Sequence, residues 1–447
     1  MLSARPLAYP GRSLRRNLLL LAGLLACNPD GPGEPTSGTS TSSATSTSGV
    51  PTTTDDDATT TTTTGTSATS TTSGDTSTGS SSGDPSTGAA ERCGDGIVDP
   101  GDLCFDPPRE LESGATPVAI DQGDLDGDGL PDLAVADFFT QSIYIHFGAG
   151  GGEFTAGPTL PSFLEPRGLI LAEFNNDDAL DLAVADIGID LVGIYLNDPG
   201  KPGMLGNPTP TSAGEGPRAF AAADLDDDGL VDLVVANEAS NDLSLLLADT
   251  PGTFADPVSL PVGASPYDLV LADFNEDGRL DLASADQDLA SVSVLLATGP
   301  GEFGPLTHFA VGPAPRSITA GDIDGDGHAE IVTASYTTTD LSILRGLGDG
   351  TFMPKPVLLP IGEGLYTVVL ADLDHDGNVD VVGVHRDLGH IQVARNLGPD
   401  KIPFIDAFQV GAGPLDLVVT DLDGDGALDV ATADSVAGTV TILRANP

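Results

Sequence analysis

Asp124-Leu-Asp126-Gly-Asp128-Gly-Leu130-Pro-Asp132 sets carboxylates at positions 1, 3, 5 and 9 of a nine-residue turn, with glycine at position 6. Hard oxygen donors at alternate positions around a sharp bend are what a calcium loop requires, and position 7 adds its backbone carbonyl. The distal ligand usual at position 12 is missing here, and the carboxylate at position 9 takes its place. One acidic turn would carry little weight, but this one recurs six times more. The later copies are Glu173, Asn175, Asp177, Ala179 and Asp181; then Asp224, Asp226, Asp228, Leu230 and Asp232; then Asp273, Asn275, Asp277, Arg279 and Asp281. They continue with Asp322, Asp324, Asp326, His328 and Glu330; Asp372, Asp374, Asp376, Asn378 and Asp380; and Asp421, Asp423, Asp425, Ala427 and Asp429. First ligands follow one another at intervals of 49, 51, 49, 49, 50 and 49 residues. A fixed period of this length signals a repeat architecture and outranks other readings.

Four carboxylates in one turn repel each other unless a cation sits among them. Calcium is therefore expected in up to seven loops. The second is the outlier, with the longer Glu173 first and Asp178 replacing glycine at the bend. Asp tolerates the left-handed conformation less well than Gly, so this site is expected to be the weakest or empty. Each loop joins two strands and would staple a hairpin, a structural role.

Around the loops, short aliphatic and β-branched runs lie between Gly, Pro and Asp clusters, which reads as strands. The run after each loop (Leu133-Ala-Val-Ala136, Leu233-Val-Val-Ala236, Val381-Val-Gly-Val384) is apolar throughout and so predicts burial on both faces. Four strands per period and seven periods predict an all-β, seven-bladed propeller over residues 105–447. Phe254, Leu260, Gly263 and Pro266 mark an outer strand, and Phe105, Leu111, Gly114 and Pro117 repeat their spacing. The chain stops after only three strands of its last period, so residues 105–114 are expected to complete the final blade. A chain without Trp disfavours the WD40 type.

The loops together with Phe147-Gly-Ala-Gly-Gly-Gly-Glu-Phe154, and a worn copy at Gly346-Leu-Gly-Asp-Gly-Thr-Phe352, resemble FG-GAP repeats of the VCBS kind, related to the integrin alpha-chain propeller. That resemblance implies the propeller fold and calcium, and it implies ligand binding on the face opposite the metal loops. Loops expected there include Phe138-Phe-Thr-Gln141, Asn237-Glu-Ala-Ser-Asn241, Tyr336-Thr-Thr-Thr339 and His385-Arg-Asp-Leu-Gly-His390, with Arg167, Arg218 and Tyr366 near the blade crossovers. Phe138, Phe139 and Tyr336 are the candidate anchors. His385 and His390 could form a metal or acid–base pair, but no third ligand is placed.

The N-terminal quarter is of another kind. Residues 1–26 read as an export signal, with Arg5, Arg12, Arg15 and Arg16 before an apolar run too short to span a membrane. Leu24-Leu-Ala-Cys27 resembles a bacterial lipobox, which implies lipid on Cys27. Residues 27–90 are mostly Thr, Ser, Gly and Asp, a disordered stalk averaging roughly 45 Å end to end. Cys93 and Cys104 are an even pair for an oxidising compartment, and the segment 91–104 resembles a disulfide-rich repeat of bacterial surface proteins. A metal-binding cysteine pair is the alternative, without a further soft ligand nearby.

A net charge of −50, from 17 basic and 67 acidic residues, disfavours nucleic acid and anionic membrane surfaces as partners. No nucleophile elbow, zincin helix or phosphate loop is present. These features point to an exported outer-membrane or cell-surface lipoprotein, a calcium-binding adhesion or recognition module for a protein or glycan. The alternatives are an extracytoplasmic polysaccharide lyase or hydrolase, which a basic, aromatic-lined central cleft would favour, and a structural envelope subunit.

Overall fold

The strand that opens each blade shows why the sheets stack face to face. Pro217-Arg-Ala-Phe-Ala-Ala-Ala223 is buried along its whole length, because small side chains let neighbouring sheets approach on both sides. Equivalent strands are Pro117–Gly123, Pro166–Ala172, Pro266–Ala272, Pro315–Gly321, Leu365–Ala371 and Pro414–Thr420. Each touches the next around a closed ring, and the last touches the first. The computed structural model describes residues 103–362, 364–396 and 404–446. The expected signal, the Cys27 anchor, the stalk and Cys93 lie outside them. Cys104 lies within them.

Seven four-stranded antiparallel sheets make a seven-bladed propeller. We call the blades I to VII in the order of their acidic loops. In each, the acidic loop joins the innermost strand to the second, Asp132–Asp137 in blade I, and those second strands are buried at every residue. The core is the set of packed blade faces. Ile170, Phe174 and Ile194 of blade II, for instance, pack on Phe220, Leu233 and Leu246 of blade III.

Blade VII takes its outer strand from the beginning of the propeller. Arg109–Glu112 pairs antiparallel with Thr439–Leu443, and Phe105 bridges Ala445. This seam covers the edge that the chain end would otherwise leave open. Gly114 shows why the motif around the crossover needs glycine: at φ +104°, a Cβ there would lie 2.3 Å from an oxygen of buried Asp137. That carboxylate accepts hydrogen bonds from Thr116 and Thr140, fixing the crossover to the hairpin beside it.

The axis is lined by polar links between innermost strands. Asp268 accepts from the Ile318 amide (3.0 Å), Asp416 from Ile120 (3.0 Å), and Asp121 from Leu171 (2.9 Å). Ser317 accepts from the Val368 amide and Thr367 donates to the Leu415 carbonyl. At the boundary between blades II and III there is no room for a side chain: a Cβ on Gly168 would lie 2.1 Å from the Arg218 carbonyl oxygen.

Candidate metal loops and the opposite face

The first carboxylate of a loop builds the turn. Asp124 Oδ1 accepts from the Gly127 amide (2.7 Å) and Oδ2 from Gly129 (2.9 Å). Both amides belong to left-handed residues, at φ +75° and +89°. Position 4 is left-handed in all seven loops, although four of them use Asn176, Asp227, Glu276 or His375 there. Sequence reading had singled out position 6 alone.

Position 9 ties the loop to the sheet. Asp132 is fully buried; its Oδ2 accepts from Leu125 (2.7 Å) and its Oδ1 from Gly148 (2.7 Å), at the end of the adjacent third strand. Asp181, Asp232, Asp281, Asp380 and Asp429 repeat this double anchorage, and Glu330 holds the Ile323 and Gly346 amides. Burial pushes these carboxyls up, to about 6 for Asp132 and Asp281 and about 7 for the other five. Position 3 moves the same way: burial first and then the Asp128 charge raise Asp126, and burial with Asp376 raises Asp374 to about 6.

In five loops three carboxylate oxygens lie within 4.8 Å of one another, a spacing that can hold a metal ion. The groups are Asp124, Asp126, Asp132; Asp224, Asp226, Asp232; Asp322, Asp324, Glu330; Asp372, Asp374, Asp380; and Asp421, Asp423, Asp425. Loops II and IV carry Asn175 and Asn275 at position 3, so an amide oxygen replaces one carboxylate. Oxygens of Asn175, Asp324 and Asp372 are buried without a hydrogen-bond partner, as acceptors reserved for a cation would be. An all-oxygen donor set fits a hard divalent ion. Loop II departs from the others: Glu173 holds the amides of Asn175 and Asp177, and Asp178 stands at φ +69°.

The loops are also latched to one another. The carbonyl at position 2 accepts a hydrogen bond from the next blade's turn: Phe174 from Gly252, Leu225 from Gly301, Phe274 from Gly350. Asn197 and Asn396 do the same with side-chain amides, on Leu125 (2.8 Å) and Ile323 (2.6 Å). These turns include the glycine-rich motif that follows each third strand.

The opposite face has another character. Its hairpin tips expose Phe139 (73%) and Val436 (71%), together with Ile189, Leu289 and Leu388. Inside that rim, the second residues of five innermost strands converge on the axis: Arg167, Arg218, Tyr267, Arg316 and Tyr366. The Arg218 guanidinium lies 3.5 Å from the Tyr267 ring centre, and Arg316 lies 4.4 Å from Tyr336 and 5.1 Å from Tyr366. Tyr267 and Tyr366 share a hydroxyl contact of 2.9 Å, and Arg167 stacks on Phe138 at 4.0 Å. Burial, with Tyr267 beside it, drives the Tyr366 hydroxyl upward, so it stays protonated. Arg316 and Tyr267 escaped the sequence reading, though both directly follow the proline that opens an innermost strand, the same register as Arg167 and Arg218.

His385 and His390 face each other across a hairpin with rings 4.9 Å apart. His385 is buried where blades I, II, IV and VII carry Asp, and its Nε2 pairs with Gln392 (2.6 Å). That placement makes it part of the packing of blade VI.

A seven-bladed propeller with an acidic loop on every blade defines the class. The FG-GAP-like repeat model matches residues 124–184, 224–284, 273–333, 322–383 and 372–432, more than half of the chain, and the chain belongs to that family. No curated protein sequence matches it. BBS1N in complex with ARL6DN shares the fold at 13% identity, TM-score 0.55, over 77% of this chain and 97% of that one. Virginiamycin B lyase from Staphylococcus aureus does so at 11% identity, TM-score 0.53, over 76% and 99%. At such identities the likeness is one of fold.

Proposed function

We propose that this protein is a calcium-stabilised recognition module, binding a protein or glycan through the face opposite its metal loops. The observation that carries this reading is the composition of that face, an exposed apolar rim around a cluster of arginines and tyrosines. Aromatic and arginine side chains at the centre of a patch are the residues that supply most binding energy. The FG-GAP propeller fold is consistent with a protein-binding module, and BBS1N, which shares the fold, is seen in complex with ARL6DN. Calcium would be held by positions 1, 3, 5 and 9 and the position 7 carbonyl, stapling each hairpin on the other rim. The chain would be exported, anchored by lipid on Cys27 at the outer membrane or cell surface, and carried on the stalk, with Cys93 paired to Cys104.

A screen of the purified chain against glycans and surface proteins, in calcium and in EDTA, tests this. The expected result is a calcium-dependent ligand lost when residues 138–141 or 385–390 are replaced. A ligand bound equally well by both replacements, or no ligand for a chain shown to be folded, counts against it.

A lyase or hydrolase acting on polysaccharide is the second reading, favoured by the same basic and aromatic mouth. The buried, protonated Tyr366 hydroxyl argues for holding a ligand rather than abstracting its proton. Shortened oligosaccharide products from incubation with the protein would establish turnover.

A further inference from the structure

Several arginines among the described residues are neutralised where they stand. Arg279 pairs with Asp277, Arg345 with Asp324, Arg395 with Asp406, Arg444 with Asp106, and Arg218 with Glu238. Arg167 and Arg316 differ. Both are half-exposed at the axial mouth, and neither has a carboxylate at ion-pair distance among the described residues. Among the described residues, Arg316 donates to the Gln287 amide oxygen (3.1 Å), and the Nε of Arg167 is buried without a hydrogen-bond partner. Burial and the nearby Arg218 charge both pull the Arg167 guanidinium down. In a chain with 67 carboxylates against 17 cations, guanidinium groups at this opening with no carboxylate at ion-pair distance among the described residues favour an anion from outside.

The neighbouring surface narrows the kind of anion. A cavity of about 360 Å3 opens beside Arg316, lined by Tyr336, Thr337, Gly364, Asp387 and Leu388. Tyr336 offers a flat ring, Leu388 an apolar wall, and Asp387 an acceptor that the Tyr336 hydroxyl already holds in place at 3.0 Å. A sugar acid satisfies both halves. Its carboxylate suits the planar guanidinium fork, its ring face suits tyrosine, and its hydroxyls can donate to Asp387. An acidic peptide would satisfy the arginines but would face Asp387 with like charge.

We infer that the axial mouth binds a uronate residue of a glycan, its carboxylate on Arg316, which lies 4.4 Å from the Tyr336 ring, and its ring in the cavity against Tyr336. This rests on the recognition reading and names its ligand class. The full calcium-loaded chain is titrated calorimetrically with a uronic acid trisaccharide, with the same trisaccharide carboxyl-reduced, and with an acidic hexapeptide. The trisaccharide is expected to bind at least tenfold more tightly than either of the others. Arg316→Gln should weaken it at least tenfold, and Arg316→Lys, which keeps charge but loses the fork, should weaken it too. Equal melting temperatures establish that the variants are folded. Equal affinity for the carboxyl-reduced sugar, tighter binding of the peptide, or uronate binding untouched by the arginine variants overturns the inference. So does absence of uronate binding; a neutral glycan or protein that still binds this face would then leave the broader recognition reading standing.

Discussion

Position 9 of the acidic loop is where packing and metal binding would meet in one side chain. Asp132 is buried, takes backbone hydrogen bonds on both oxygens, and still lies among the carboxylates of Asp124 and Asp126. Without a cation, burial holds the seven position-9 groups at about 6 to 7, against ordinary values of 3.8 for Asp and 4.5 for Glu. A raised folded value means that folding favours the protonated form. That contribution is complete below about pH 4 and is lost as pH rises through about 6 to 7. A bound divalent ion reverses the preference, because it stabilises the carboxylate. In EDTA the melting temperature should therefore fall between about pH 5 and pH 8, while in calcium it should not, so the gap between the two buffers widens with pH. Parallel slopes would remove these carboxylates from the metal site. Arg345 offers a second residue-scale test, since its exposed pair with Asp324 (3.2 Å) sets a fixed cation beside a candidate ligand. Arg345→Ala should tighten calcium at loop V up to about fivefold, equivalent to about 1 kcal/mol, the upper range for such a pair. Calorimetric titration reads this as a shift in one class of sites.

Single elements hold the ring together at the seam and at the latches between loops. Leu111 pairs with Val440 in the middle of the closing strand, so Leu111→Pro breaks the ladder that completes blade VII. The expected loss is about 2–4 kcal/mol, with amide exchange rising in Thr439–Leu443 and its sheet before the rest of the propeller. Uniform exchange across all blades would show that the seam does not limit opening. The Asn197 side chain donates to the Leu125 and Leu180 carbonyls at 2.8 and 3.1 Å. Asn197→Ala leaves both short of a donor and should cost about 1–3 kcal/mol by urea denaturation. The blades themselves were legible because side-chain chemistry dictates the acidic loop and its spacing, and a run such as Leu233-Val-Val-Ala236 has to be buried on both faces. The left-handed residue at position 4 was not legible, since Glu276 and His375 carry no glycine signal; their turn is imposed by the amides that the first carboxylate gathers. The axial arginines were legible only in part. Arg167, Arg218 and Arg316 stand 51 and 98 residues apart in the chain, and only ring closure brings them to one mouth.

Across the whole molecule, charge separates the two faces. The loops crowd acidic groups on one rim, and Arg167 and Arg316, without a carboxylate at ion-pair distance among the described residues, stand on the other. Seven calcium ions would carry +14 against the −50 of the chain, leaving −36, so the loaded protein is still strongly acidic. Within the loops, however, the effect is local and large. Independent sites filled at a hundred times their dissociation constant would each add roughly 2.7 kcal/mol. Chelation should accordingly lower the melting temperature and raise protease sensitivity. Monovalent salt distinguishes this from a general relief of repulsion. Its screening length falls from about 10 Å at 0.1 M to about 3 Å at 1 M, enough to weaken repulsion between exposed carboxylates of different loops. Salt should therefore raise the melting temperature of the chelated protein, yet recover only part of what calcium gives, because it cannot coordinate the buried oxygens of Asp324 and Asp372. If high salt in EDTA restored the full calcium-loaded stability, the ions would be acting as a diffuse atmosphere, and the loops would be acidic turns without a metal of their own.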